Sequence, residues 1–454
     1  MNLRWDTSTQ KEHFALRDIT KDPLPLTSLG RMYKRKCMLL RQTARAIKTP
    51  TDFAVNRRFL FGPASMIFWL KVLVAVSFGA SLLISSGLWL GSRLYPLTPI
   101  IAGLPTIPHP IDYIIFVALF GLLAAIVLSS KPRAFIGTFI ALMVFLCALD
   151  QSRWQPWVFQ YLFILGALGL YSWKSEDVQG QKITLNILRL IIFGTYLYSG
   201  LQKINLDFIN NVFPWLVQPI VNVFPAFQRV ILPLAIIAPV IQIGFACGLL
   251  TKRFRNEALL LAVSMHLFIM AMIGPLGWNW NSVVWPWTTA MACFDILLFA
   301  GTSDFTFRDI FWAKSSTYQK VVLILFIVMP FFSFFNIWDS YLSAALYSGN
   351  TNQGTIFIGD EVKASLPTNL QAYVSPVSAN INALNIQNWS IAELGVPPYP
   401  EDRIYESVAK KVCALSNNPI QLNLILQDGR LFNDGPQRNY TCTDLQKTAR
   451  DFLM

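Results

Sequence analysis

Lys203 is the residue of this chain best placed to do chemistry. It closes the run Arg189-Leu-Ile-Ile-Phe-Gly-Thr-Tyr196-Leu-Tyr-Ser-Gly200-Leu-Gln-Lys203, an apolar stretch about as long as a membrane helix. Arg189, Tyr196, Gly200 and Lys203 follow one another at intervals of seven, four and three residues, which on an α-helix is a single stripe. Ionisable groups in such a helix are costly and face a bundle interior or a water-filled hollow. A lysine shielded there by apolar neighbours works as a base near neutral pH, whereas an acid beside it keeps it charged. The alternative is that its ammonium snorkels to the interface.

Few other groups could assist it. Asp150, in Asp150-Gln-Ser-Arg153-Trp154, falls at the end of an apolar run; His266 and Asp295 lie within two others. We assign Lys203 as general base or ligand contact, with Tyr196 and Asp150 setting its ionisation and His266 as a supporting hydrogen-bonding group. Arg189 and Gly200 are structural. Plainer readings stand beside these: Asp150 capping a helix or pairing with Arg153, His266 as a bonded core residue, and Asp295 as a polar clasp between helices.

Familiar machinery is absent from the chain. It has no GxGxxG or phosphate loop, no C-x-x-C and no H-E-x-x-H, and only three histidines, His13, His109 and His266. Neither a nucleotide cofactor nor a metal is expected. A net charge of +12 invites a nucleic-acid reading, but no recognition motif supports one.

The elements that must hold these residues are membrane helices. The chain is 54% hydrophobic and only 14% charged, with a mean hydropathy of +0.45, which marks an integral membrane protein. Apolar runs fall near 63–90, 111–129, 134–150, 156–173, 184–202, 229–250, 257–275, 284–301 and 319–341. The expected fold is therefore an all-α polytopic bundle of about nine transmembrane helices over 61–345. Residues 1–60, with 13 Lys and Arg against 5 Asp and Glu, read as a basic cytoplasmic segment rather than a cleaved leader. Lys131 and Arg133, Lys174 and Lys182, Lys252, Arg253 and Arg255, then Arg308, Lys314 and Lys320 share that side. The positive-inside rule then puts the N-terminus in and the C-terminus out, in a bacterial inner membrane rather than a secretory one.

Two connections on the opposite side look specialised. Residues 204–228 mix aromatics, Asn and three prolines and read as interfacial or re-entrant; Gly274–Ser282 is rich in indole and amide groups. A small non-cytoplasmic α+β module occupies 349–454. It is expected to contain a helix over 402–415, a strand over 421–427 and a tight Asp428-Gly429 hairpin into Arg430, then a last helix over 443–452. Its Cys413 and Cys442 either form a disulfide in an oxidising compartment or remain buried thiols.

The order Arg189-x6-Tyr196-x3-Gly200-x2-Lys203, preceded by Asp150-x3-Trp154 and followed by His266 ahead of Gly274, resembles the vitamin K-dependent γ-glutamyl carboxylases. It is similar too to their bacterial relatives, the horizontally transferred transmembrane (HTTM) domain proteins. The resemblance covers roughly residues 55–300. It implies a helical bundle whose site opens to the non-cytoplasmic face, and a lysine at position 203 that deprotonates a reduced quinone. The chain departs from the carboxylases at Gln155-Pro156-Trp157, where they carry Asn-Asn-His, and at Tyr171-Ser172-Trp173, where they carry His-Tyr-Trp. Where they carry a large β-rich lumenal portion, only the small module is expected after the last apolar run here. These departures argue against glutamate carboxylation and for either a quinone-linked membrane enzyme or a non-catalytic scaffold that binds a partner through its module.

Overall fold

A computed structural model describes residues 63–101, 103–170, 177–301, 305–312, 316–429 and 437–451. The basic segment 1–60, the positions 171–173 and the expected start of a strand at Arg430 lie outside the described residues. Every one of the nine apolar runs carries a helix, because backbone N–H and C=O groups in a hydrocarbon setting must be paired within the segment. In chain order these are α1 (Pro63–Ile84), α2 (Ile111–Leu128), α3 (Arg133–Leu149), α4 (Pro156–Leu170), α5 (Val178–Leu201), α7 (Leu234–Leu249), α8 (Arg255–Ile273), α9 (Val284–Phe299) and α10 (Thr317–Phe335). A further helix, α6 (Phe213–Val223), lies between α5 and α7.

Five of them, α1, α2, α5, α8 and α10, are long and apolar enough to cross a membrane unaided. A sixth candidate is α7 joined to Pro225–Ile231 across a 56° bend; Pro233 sits in that break and has no N–H to continue the ladder. The helices α3, α4 and α9 have 17, 15 and 16 residues, which at 1.5 Å per residue fall short of a core about 30 Å thick.

The helix α5 is the axis of the bundle: 83% of its apolar window is buried, against 22% for α2. Two glycines set how closely its neighbours approach. A Cβ on Gly200 would stand 2.7 Å from Ile243 Cγ1 and 3.2 Å from the Pro239 carbonyl on α7. One on Gly194 would stand 2.6 Å from the Phe326 carbonyl. That carbonyl belongs to a π-helical turn, Ile324–Val328, which gives way to a 3₁₀ stretch at Pro330. The Tyr198 hydroxyl donates to the Ile327 carbonyl there, supplying a partner where the regular ladder is interrupted.

Beyond α10 the chain forms an antiparallel five-stranded sheet in the order β2-β3-β1-β4-β5, built from β1 (Gln353–Ile358), β2 (Val374–Ser378), β3 (Ile381–Leu384), β4 (Leu422–Gln427) and β5 (Gln437–Thr441). Besides two short helices, Asp360–Ser365 and Thr368–Gln371, three longer ones accompany it: α11 (Ile386–Leu394), α12 (Asp402–Leu415) and α13 (Cys442–Asp451). The helix α12 buries Ile404, Val408 and Val412, the stripe its periodicity predicts. The strand at 422–427 forms, but the tight Asp428-Gly429 hairpin does not. Gln427 pairs with Gln437, so nine residues join the strands instead of two. Cys413 and Cys442 are disulfide-bonded, pinning α12 to α13.

The module is fastened to the bundle rather than tethered to it. Both Glu393 carboxylate oxygens accept backbone N–H groups, from Leu94 and Tyr95 at 2.7 Å each, and the Trp389 indole donates to Oε2 at 2.8 Å. Glu401 accepts from the Ser340 N–H and hydroxyl, both at 2.9 Å. Arg403 pairs with Asp339 and donates to Gln151 Oε1 at 2.6 Å. One hydrophobic core runs through the helices and the sheet.

Candidate functional site

The stripe on α5 does face protein. At the end away from the module, Arg189 is buried, donating to the Leu298 carbonyl at 3.0 Å and to Asn186 Oδ1 at 2.8 Å. Its guanidinium and that of Arg255 both stack on Phe305, 3.9 and 3.8 Å from the ring centre. These contacts join α5 to α9 and to the Phe305 ring. Gly200, next to the last residue of α5, is the close contact with α7.

Tyr196 has a different role from the expected one. Its hydroxyl lies 2.6 Å from His266 Nε2 on α8 and 2.6 Å from Asp295 Oδ2 on α9, tying three helices together. A phenol carries one hydrogen. Donated to Asp295, it leaves the oxygen to accept from His266 Nε2–H, which makes Nδ1 the bare, basic nitrogen. Among the described residues Nδ1 has no hydrogen-bond partner, and neither does Asp295 Oδ1. Asp295, a candidate clasp by sequence, is a clasp with a tyrosine and a histidine in its grip.

Lys203 stands just past the end of α5. Its Nζ donates to the carbonyl and the hydroxyl of Ser199, both at 2.7 Å, and its side chain is half-buried. None of the ion pairs among the described residues involves it. Lys203, Ser199, Tyr196, His266 and Thr288 line one cavity of about 370 Å³. Its remaining walls are mostly aromatic and aliphatic, among them Phe208, Phe213, Phe245, Met265, Met291 and Trp287, with Thr195, Gln242 and Ser264 as further polar members. The predicted base and the predicted supporting histidine therefore share a hollow, although they lie 63 residues apart in the chain. A largely apolar pocket with a few converging polar groups is the usual form of a small-molecule site.

No family model, curated protein or solved structure matches this chain. The carboxylase resemblance thus rests on the quoted residues alone.

Asp150 does not belong to the site, which corrects its expected part in setting the ionisation of Lys203. It is fully buried elsewhere, ion-paired with Arg93 and 3.8 Å from Arg153 Nε. It also accepts from the Thr98 hydroxyl at 2.8 Å and the Ser152 N–H at 3.1 Å. Both arginines reach on to backbone carbonyls at the end of the Ser86–Trp89 helix and of α3. The carboxylate is the hub of a loop anchor and has no free direction left. Gln155, Pro156 and Trp157 are likewise structural: Trp157 is buried with its ring 5.6 Å from that of Phe78.

Sequence reasoning missed Ser199 and Thr288, and left Asp295 without its partners. Nothing local marks Asp295, since its tyrosine lies 99 residues away. The two connections singled out beforehand do meet. Trp215 on α6 stacks on Trp278 at 5.5 Å and accepts its indole N–H at the backbone, 2.8 Å away. Among the described residues no group of three His, Cys, Asp or Glu side chains is placed to hold a metal ion.

Proposed function

We propose that this is a multi-pass membrane protein that binds a quinone-like, lipid-soluble ligand in the cavity between α5, α7, α8 and α9. The observation that carries the reading is the pairing of one lysine and one histidine on the wall of a largely apolar hollow whose other polar groups are neutral hydroxyls and an amide. An aromatic or aliphatic lining suits a ring system, and the two polar groups suit its oxygens. Proton transfer is the chemistry such walls supply. A ligand hydroxyl can give its proton to a neutral Lys203 amine, while the Tyr196–Asp295 pair fixes the His266 imidazole in place. Glutamate carboxylation is not part of the proposal, because the positions of the carboxylases' Asn-Asn-His element are taken by packing residues.

The same reading has the chain crossing the membrane nine times, with the module on the non-cytoplasmic side. Two arguments support it. Basic residues cluster at the ends of the helices away from the module. The short helices α4 and α9 pack against the longer α1, α5 and α8, and α3 lies between α2 and α4, where partners can make up a modest mismatch in length.

The test is ligand-dependent stabilisation in detergent, with a reduced naphthoquinone as probe. Wild-type protein should gain about 2.7 kcal/mol at a hundredfold excess over the dissociation constant, read as a rise in Tm, and Lys203→Met should lose most of that gain. A wild-type protein unmoved by the probe, or a variant stabilised as fully as wild type, contradicts the reading.

A further inference from the structure

We infer that the ligand of this cavity is a tailed lipid whose chain leaves the bundle sideways, through a window between α7 and α8 framed by Ile241, Leu261 and Ser264. The inference rests on the ligand reading above and adds the class of ligand and its route.

The three residues face two ways. Each lines the cavity, and each is exposed on the outside of the bundle, Ile241 by 44% and Leu261 by 47%. A side chain can do both only at an opening. Gly244, next along the exposed side of α7, leaves further room, since a Cβ there would meet nothing within 4 Å. The gap is local. Away from the module the two helices close up, with the Cβ position of Gly248 2.8 Å from that of Ala258. Toward the module Phe268 packs against the cluster of Phe213, Val217 and Ala235 that carries α6.

What lies outside the window decides the kind of ligand. The neighbouring exposed side chains are Ile237, Val240, Leu260 and Leu267, a surface suited to lipid and not to water. On the module side Leu346 and Tyr347 stand between the cavity and a separate cleft facing the sheet, with the Tyr347 hydroxyl held by Asn281 at 2.7 Å. A cavity of about 370 Å³ takes a ring-sized head group but not a chain of several isoprene units as well. A tail that continues through an apolar window into hydrocarbon stays in an apolar medium throughout and is not exposed to water.

The experiment compares two probes, a naphthoquinone with a polyisoprenoid tail and the same ring system without one. Both are titrated in lipid nanodiscs against wild type, Ile241→Trp and Lys203→Met. Filling the window should weaken the tailed probe by about tenfold or more while leaving the tailless one within about twofold. Lys203→Met should weaken both. If Ile241→Trp affects the two probes alike, or neither, while Lys203→Met still weakens both, the window is overturned and the ligand site stands. If wild type binds neither probe, the site itself fails and the window with it. A second variant guards against misfolding. With the free cysteines replaced, Ser264→Cys should react with a lipid-soluble maleimide, and the tailed probe alone should slow that reaction. Equal protection by both probes, or by neither, counts against the window.

Discussion

Asp150 sits between two guanidiniums in a place water does not reach, so an amide in its position would leave Arg93 and Arg153 buried without their counter-charge. Breaking a buried pair in this way costs about 3–5 kcal/mol, and Asp150→Asn should lose that much on unfolding in detergent with its ligand affinity unchanged. Burial works against the charge of Asp150, but Arg93 and Arg153 outweigh it and hold the carboxyl below its ordinary range. An acid depressed on folding stabilises above its unfolded value of about 4, and that contribution is lost as pH falls through the lower folded value. The stability of wild type should therefore fall more steeply in acid than that of Asp150→Asn; parallel curves would show that the carboxylate is not the hub. Lys203 contrasts with it. Its hydrogen bonds are to its own helix, at Ser199, which leaves it available to a ligand.

At the scale of elements the account depends on α5 being held tightly against α7 and α10. Gly200 makes the first contact and Gly194 the second. Adding a methyl at Gly200 drives it into Ile243 and the backbone at Pro239, and overpacking of this kind costs about 1–3 kcal/mol. Gly200→Ala should lower Tm accordingly and, by pushing α7 off α5, also weaken ligand binding at the cavity one turn away. A variant as stable as wild type would mean that the two helices can separate freely, and the cavity walls would not be fixed by this contact. The neighbouring Gly244, with open space around it, is the matched control, since alanine there should leave Tm unchanged or slightly raised.

Across the whole molecule, the features written in local pattern were legible and those written in long-range pairing were not. The helices follow from apolar runs, and the α5 stripe from residue spacing. The disulfide between Cys413 and Cys442, one of two readings left open by the sequence, forms. Asp150 follows its plainer reading, capping a helical turn and pairing with Arg153, while Arg93, its strongest partner, stands 57 residues upstream, beyond any periodicity. Asp295 was left open for the same reason. The hairpin failed because an Asp-Gly pair favours a tight turn without enforcing one, and the register of β4 with β5 puts nine residues between the strands. The docking of the module through Glu393, Glu401 and Arg403 had no sequence signature either, yet it closes the end of the bundle where Lys203 lies. The claim that joins all of this is that the hollow beside Lys203 carries a quinone-like lipid. Mass spectrometry of lipids extracted from protein purified in mild detergent tests it most directly. The account predicts about one tailed quinone per chain, strongly depleted in Lys203→Met prepared side by side. A wild-type preparation free of quinone, or one whose quinone content the substitution leaves unchanged, would contradict it.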